Sequence, residues 1–162
     1  MDIEIARSYL RLSQDEDSWD VDDWAWIRRE FLSVDWGENA KGIVAAWNKL
    51  VPPELAATVC RELTEREPGF TDRLACGDAS VTVPYTRSPE DCMRVVIALN
   101  TLIGDRAQLR LSHRSTGNSD WCYLPQHPAD WAALEDEFGR DHVEARFQTL
   151  PSSWEALDAA LG

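Results

Sequence analysis

Apolar residues recur at helical spacing through the first third of the chain. Residues 3–12 carry Ile5, Tyr9 and Leu12 on one stripe, with Ala6 and Leu10 beside it, which predicts an amphipathic helix. Val21, Trp24, Ile27, Phe31 and Leu32 predict a second helix over about 22–33. Trp36, Ala40, Ile43, Trp47 and Leu50 predict a third over about 39–50. Pro52 and Pro53 stop it, and Leu55, Val59 and Leu63 at four-residue intervals predict a fourth running to about Glu67.

The pattern changes after Glu67-Pro68-Gly69. Residues 72–76 and 80–85 read as a hairpin around Gly77-Asp78. Ser88-Pro89-Glu90-Asp91 opens a helix whose stripe, from Cys92 through Val95, Val96, Leu99 and Leu102 to Ile103, is the widest in the chain and ends at Gly104. Ala107 to Arg114 then alternates strictly, and Ser115-Thr116-Gly117-Asn118 turns it back into residues 119–124. With Arg114 facing Ser119, Leu111 faces Cys122 and His113 faces Asp120 on the core side. Arg110 and Arg114 then stand near Trp121 and Tyr123 on an outer face. Helices at 128–138 and from 141 to about 149 follow, and Ser152 with Glu155 matches a capping box for a last short one. The expected fold is α+β, with a helical N-terminal half, a ββαββ antiparallel sheet unit and C-terminal helices covering it. The expected organisation is a single domain over 1–162, with any internal subdivision near 68.

Charge narrows the choice of partner. The chain holds 29 Asp and Glu against 16 Lys and Arg, a net charge of −13, and such a field repels a phosphate backbone. Nucleic acid is therefore excluded as an expected partner, while a basic protein would be steered toward the molecule. The N-terminus is charged from Asp2 onward and no stretch nears the ~20 apolar residues of a membrane span, so neither a signal peptide nor a membrane segment is expected. The expected location is the cytoplasm. Cys60, Cys76, Cys92 and Cys122 lack CxxC spacing, and three of them fall on predicted apolar faces, so they read as reduced core residues rather than zinc ligands.

Residues 15–26, DEDSWDVDDWAW, combine six carboxylates with three tryptophans. On a helix Trp24 joins the apolar stripe while Trp26 falls about 200° away, toward solvent, between Asp22 and Glu30. An exposed tryptophan among carboxylates has the composition of a binding hot spot. Asp15, Glu16, Asp17, Trp19, Asp20, Asp22, Asp23 and Trp26 are accordingly the first candidate partner-binding surface, and Arg110, Arg114, Trp121 and Tyr123 the second. Acids near a helix N-terminus also have a purely local role, since they favour the helix dipole. A calcium loop does not fit, because Trp19 and Asp20 stand where an EF-hand needs an oxygen ligand and a glycine.

Nothing in the sequence assembles a catalytic site. Ser112 and His113 are adjacent and so lie on opposite strand faces, which leaves His113 and Asp120 as a bracing pair rather than part of a triad. His127 reads as a helix cap or a linker residue and His142 as a surface residue, and there is no phosphate-binding glycine motif. The expectation is a chain with no enzymatic role, no cofactor and no metal.

The profile of the whole chain, small, acidic and α+β with eight tryptophans, resembles the immunity proteins of bacterial toxin–immunity pairs, such as those of contact-dependent inhibition or type VI secretion. That resemblance implies a protein that neutralises a cognate toxin, often a basic nuclease, by occluding its active site with acidic and aromatic side chains. A type III-class secretion chaperone is the alternative binding role, although four predicted helices precede the first strand where such chaperones have one. An enzyme with an unrecognised site is the third.

Overall fold

The computed structural model describes residues 1–13, 25–26, 29–65, 67 and 69–161. Helix α1 (Ile3–Arg11) starts at Asp2, whose carboxylate accepts the Glu4 amide, and buries Ala6, Tyr9 and Leu10. Residues 25, 26, 29 and 30 are helical, but Leu32–Asp35 then extends as strand β1. Helix α2 (Ala40–Leu50) starts at Asn39, whose side chain accepts the amides of Lys41 and Gly42.

The predicted fourth helix is a strand. After one 3-10 turn at Pro53–Leu55 the chain runs as β2 (Thr58–Leu63), antiparallel to β3 (Phe70–Cys76), which pairs with β4 (Ala79–Thr82). Residues four apart share a face in a strand as well as in a helix, so the spacing of Leu55, Val59 and Leu63 does not decide between them. The partner strand decides. Asp72 stands opposite Arg61 and accepts both its Nε and Nη2 at 2.8 Å, while Arg73 reaches Glu62 at 3.2 Å.

Helix α3 (Asp91–Ile103) ends at Gly104, where φ of 53° favours glycine. Strands β5 (Gln108–Ser112) and β6 (Asp120–Gln126) follow, then α4 (Pro128–Phe138), α5 (Arg140–Glu144), β7 (Phe147–Thr149) and α6 (Trp154–Leu161). His127 caps α4 by accepting the Ala129 amide on Nδ1. The predicted helix from 141 to 149 stops after five residues, because the free side of β5 recruits Phe147–Thr149 as an edge strand.

The fold is α+β, with two antiparallel sheets ordered β1-β6-β5-β7 and β2-β3-β4. The predicted order ββαββ occurs along the chain, but its two hairpins belong to different sheets, and α3 packs against strands of both. This explains why α3 buries residues all round, including Met93, Ile97 and Ala98 off its predicted stripe. The main sheet is covered on both faces. One face meets α2, α3 and α6 in a core that draws on residues from Leu32 to Leu157; the other meets α1, α4 and α5 around Tyr9, Phe31, Trp131 and Phe147.

The outer sheet face expected at Arg110, Arg114, Trp121 and Tyr123 does not exist as a surface. Leu111 faces Tyr123, not Cys122, because His113–Ser115 winds into a 3-10 turn and lengthens the connection. A slip of one residue exchanges the two faces of a strand. Trp121 and Tyr123 therefore enter the larger core, at 6% and 0% exposure. Arg110 is buried on the opposite face, 4.4 Å above the Trp131 ring and 2.8 Å from Glu135.

Candidate functional site

Strands β1 and β6 end together at one side of the main sheet, and their pairing gathers the side chains that stand out there. Val34 faces Trp121, and the last pair of the ladder is Asp35 opposite Asp120. Trp36 leaves β1 and meets Trp121 edge-on, with ring centroids 5.3 Å apart. Trp154, at the start of α6, closes the group at 6.3 Å from Trp36 and 6.0 Å from Trp121. Trp121 is buried, whereas Trp36 and Trp154 are half-buried, so the cluster is rooted in the core and open at its rim. The Trp121 indole N–H is buried with no hydrogen-bond partner among the described residues. Tryptophan normally places that donor, so the cluster keeps one polar demand unmet.

Among the described residues no ion pair engages Asp35, Asp120 or Glu38. The Asp35 carboxylate accepts the Gly37 amide at 2.7 Å, and that of Asp120 accepts the Ser119 hydroxyl at 3.1 Å. Residues directly opposite in an antiparallel ladder share a face, so these two like charges stand side by side. Asp35 also lies close enough to Cys92 to help raise its thiol to about 11, after burial, the main cause. Charged pairs of one sign in this position cost stability. Neutralising either acid, as Asp35→Asn or Asp120→Asn, is expected to raise stability by roughly 0.2–1 kcal/mol in urea unfolding. A drop in stability would mean that the carboxylates are held for local structure.

A second polar cluster lies under α1. The Tyr9 hydroxyl bonds to that of Ser112, and the Ser115 hydroxyl donates to the Ser112 carbonyl while accepting the Cys122 amide. Three side chains then hold the end of α1: His142 Nε2 is 3.1 Å from the Leu10 carbonyl, Arg146 donates to that of Leu12 and Arg114 to that of Ser13. Burial lowers the Arg146 pKa, and the nearby Arg114 charge adds to this. Arg114 belongs to the connection that leads into Asp120. Ser13 is therefore fixed at the same end of the main sheet as Asp35, Trp36 and Asp120, and the acid-rich run follows directly after it.

Of the first predicted surface, Asp15, Glu16, Asp17, Trp19, Asp20, Asp22 and Asp23 lie outside the described residues. Trp26 is described, and it does not project freely into solvent. It is half-buried against the smaller core, edge-on to Phe31 at 6.3 Å. No hydrogen bond joins His113 to Asp120 among the described residues; the His113 amide instead donates to the Arg146 carbonyl at 3.0 Å. His142 is half-buried and stacks on Phe138 rather than facing solvent. Cys76, Cys92 and Cys122 are buried and Cys60 is exposed. Among the described residues no three His, Cys, Asp or Glu side chains gather as a metal site requires, and no helix is long and apolar enough to cross a membrane. Trp36 was legible only as a position on an apolar stripe, and nothing in the sequence singled out Trp154. The dipeptide Asp-Trp stands at 35–36 and 120–121 at this end, but it also occurs at 23–24 and 130–131 and so does not single the end out.

Comparison with family models, with curated proteins and with solved structures gives no match for this chain.

Proposed function

We propose that this protein binds and neutralises a basic protein, in the manner of an immunity protein occluding its cognate toxin, through the aromatic and acidic end of the main sheet. The observation that carries the proposal is the open tryptophan cluster of Trp36, Trp121 and Trp154 at the same end of the main sheet as Asp35 and Asp120, which form no ion pair among the described residues. Half-buried tryptophans supply contact area with little entropy left to lose, and unpaired carboxylates steer and orient a guanidinium or ammonium from a partner. The run that follows Ser13 in sequence holds six carboxylates and contributes to the net charge of −13 that would attract such a partner. Trp26 is packed against the smaller core and is not part of this surface.

The test is affinity capture on the tagged protein at low salt, with stepwise salt elution and an activity assay on whatever is recovered. One folded basic protein that elutes with salt, and whose activity falls on rebinding, is the expected result. Recovery of an extended, partly unfolded client would favour the chaperone role instead. A protein that retains no macromolecule but carries a bound small molecule would point to an enzyme.

A further inference from the structure

Strand β2 lies at the edge of the smaller sheet and all but Val59 of its six residues are exposed, including Leu63 at 89%. The direction of its backbone groups follows from the bonds around it. The Thr64 amide donates to the Gly69 carbonyl, and on the other side of β3 the Val83 amide donates to the Asp72 carbonyl. Antiparallel bonding alternates. Thr58, Cys60 and Glu62 therefore direct their amides and carbonyls at β3, while Val59, Arg61 and Leu63 direct theirs outward. The next outward position, Ala57, is already closed: Asn48 donates to its carbonyl at 2.9 Å and accepts its amide at 2.8 Å. The open edge is thus the stretch 59–63, centred on Arg61.

Edge strands are normally guarded by lysine, proline, a bulge or uncompensated charge. Here the ladder to β3 runs without a break, and β2 holds neither lysine nor proline. Its two charges are spent within the molecule, Arg61 on Asp72 and over the Phe70 ring at 4.1 Å, and Glu62 on Arg73. In a chain of net charge −13 this edge is electrically neutral. A basic partner is not drawn to it by charge, and a second copy is not repelled from it.

We infer that β2 pairs antiparallel with β2 of a second copy of this chain, across a two-fold axis at Arg61. This register uses every open group: Arg61 opposes Arg61 of the second copy, and Val59 opposes its Leu63 in both directions. Each Arg61 is turned onto its own Asp72, which removes the repulsion that facing arginines would otherwise bring. Each Leu63 comes to lie on the inner face, beside Val59 of the second copy. There a groove of about 350 Å³, lined by Asn39, Lys41, Val59, Arg61 and Asp72, stands open to receive it. The exposed leucine and the open groove thus complete each other. Cys60 of each copy falls diagonally across the axis, about 7 Å from its counterpart.

Sedimentation equilibrium on the full chain, with cross-linking by a short bis-maleimide, tests the inference. Cys76, Cys92 and Cys122 are buried, so cross-linking of the folded protein reports on Cys60. The expected result is a reversible dimer, linked through Cys60 and not linked in Cys60→Ser. Leu63→Lys should weaken dimerisation by about tenfold or more, with an unchanged unfolding midpoint at concentrations where the wild type is monomeric, because Leu63 is exposed in the single chain. A chain that stays monomeric to about 1 mM, or one that dimerises indifferently to Leu63→Lys and without a Cys60 link, would overturn it. Pairing of this edge only with a strand from a different protein would overturn it too.

Discussion

Replacing Trp131 with alanine is expected to cost about 3–5 kcal/mol, the range for truncating a fully buried large aromatic side chain. Trp131 is fully buried on the second face of the main sheet, meets Phe147 edge-on at 5.0 Å and donates its indole N–H to the Gln108 carbonyl at 3.0 Å. The ring is also the floor beneath Arg110. Alanine would leave a cavity, an unmet carbonyl and a buried guanidinium that has lost its aromatic support and keeps only Glu135 and the Gln108 side chain. Since domains of this size hold about 5–15 kcal/mol in total, the variant should unfold at much lower urea. Trp131→Phe should recover the packing but not the hydrogen bond. A loss below about 1 kcal/mol for the alanine variant would mean that the layer of α1, α4 and α5 adds little to stability.

Asp72→Asn is expected to have the second largest effect, and its signature is a dependence on pH. Asp72 is buried, bound twice by Arg61 and once by the Tyr85 hydroxyl at 2.6 Å. The Arg61 guanidinium and then the Tyr85 hydroxyl hold its pKa below the usual carboxylate range. Burial and the Asp72 carboxylate push the Tyr85 phenol well above its own ordinary value. A carboxyl group whose pKa is depressed by folding contributes stability that is present above the unfolded value of about 3.9. That contribution is lost as pH falls through the folded value. Removing one member of a buried pair costs about 3–5 kcal/mol. Arg61 is half exposed, which reduces the expected loss at pH 7 to about 2 kcal/mol. Below pH 4 the difference between variant and wild type should shrink. Equal stability at pH 7 would show that the pair is replaceable, and a difference that persists at pH 2 would assign the effect to packing.

The helices were legible wherever a stripe and its cap both lie in the sequence. Asn39 before α2, Gly104 after α3 and His127 before α4 mark the ends that the apolar pattern leaves approximate. Strands β2 and β7 were not legible, because their assignment is made by the strands beside them and their own spacing is ambiguous. Arg61 finds Asp72 only once β3 is in place, and Phe147–Thr149 extends only because β5 offers a free side. The register of β5 on β6 failed for a local reason. Three residues of 3-10 turn at His113–Ser115 moved the pairing by one position and turned a proposed surface into core. The open tryptophan cluster depends on two further non-local facts, β1 beside β6 and α6 docked across their ends. No periodicity within one segment contains it. What the sequence did carry was the charge balance and the abundance of tryptophan, and the proposal of a basic protein partner starts from these.

The most direct test of binding through the tryptophan end is to compare wild-type protein with Trp36→Ala/Trp154→Ala and with Asp35→Asn/Asp120→Asn in the same low-salt capture, each first shown to be folded. A basic protein retained by wild type, lost with the tryptophans and bound more slowly with the asparagines is the predicted result. A partner retained equally by all three, or a retained partner whose binding does not respond to salt, would contradict it.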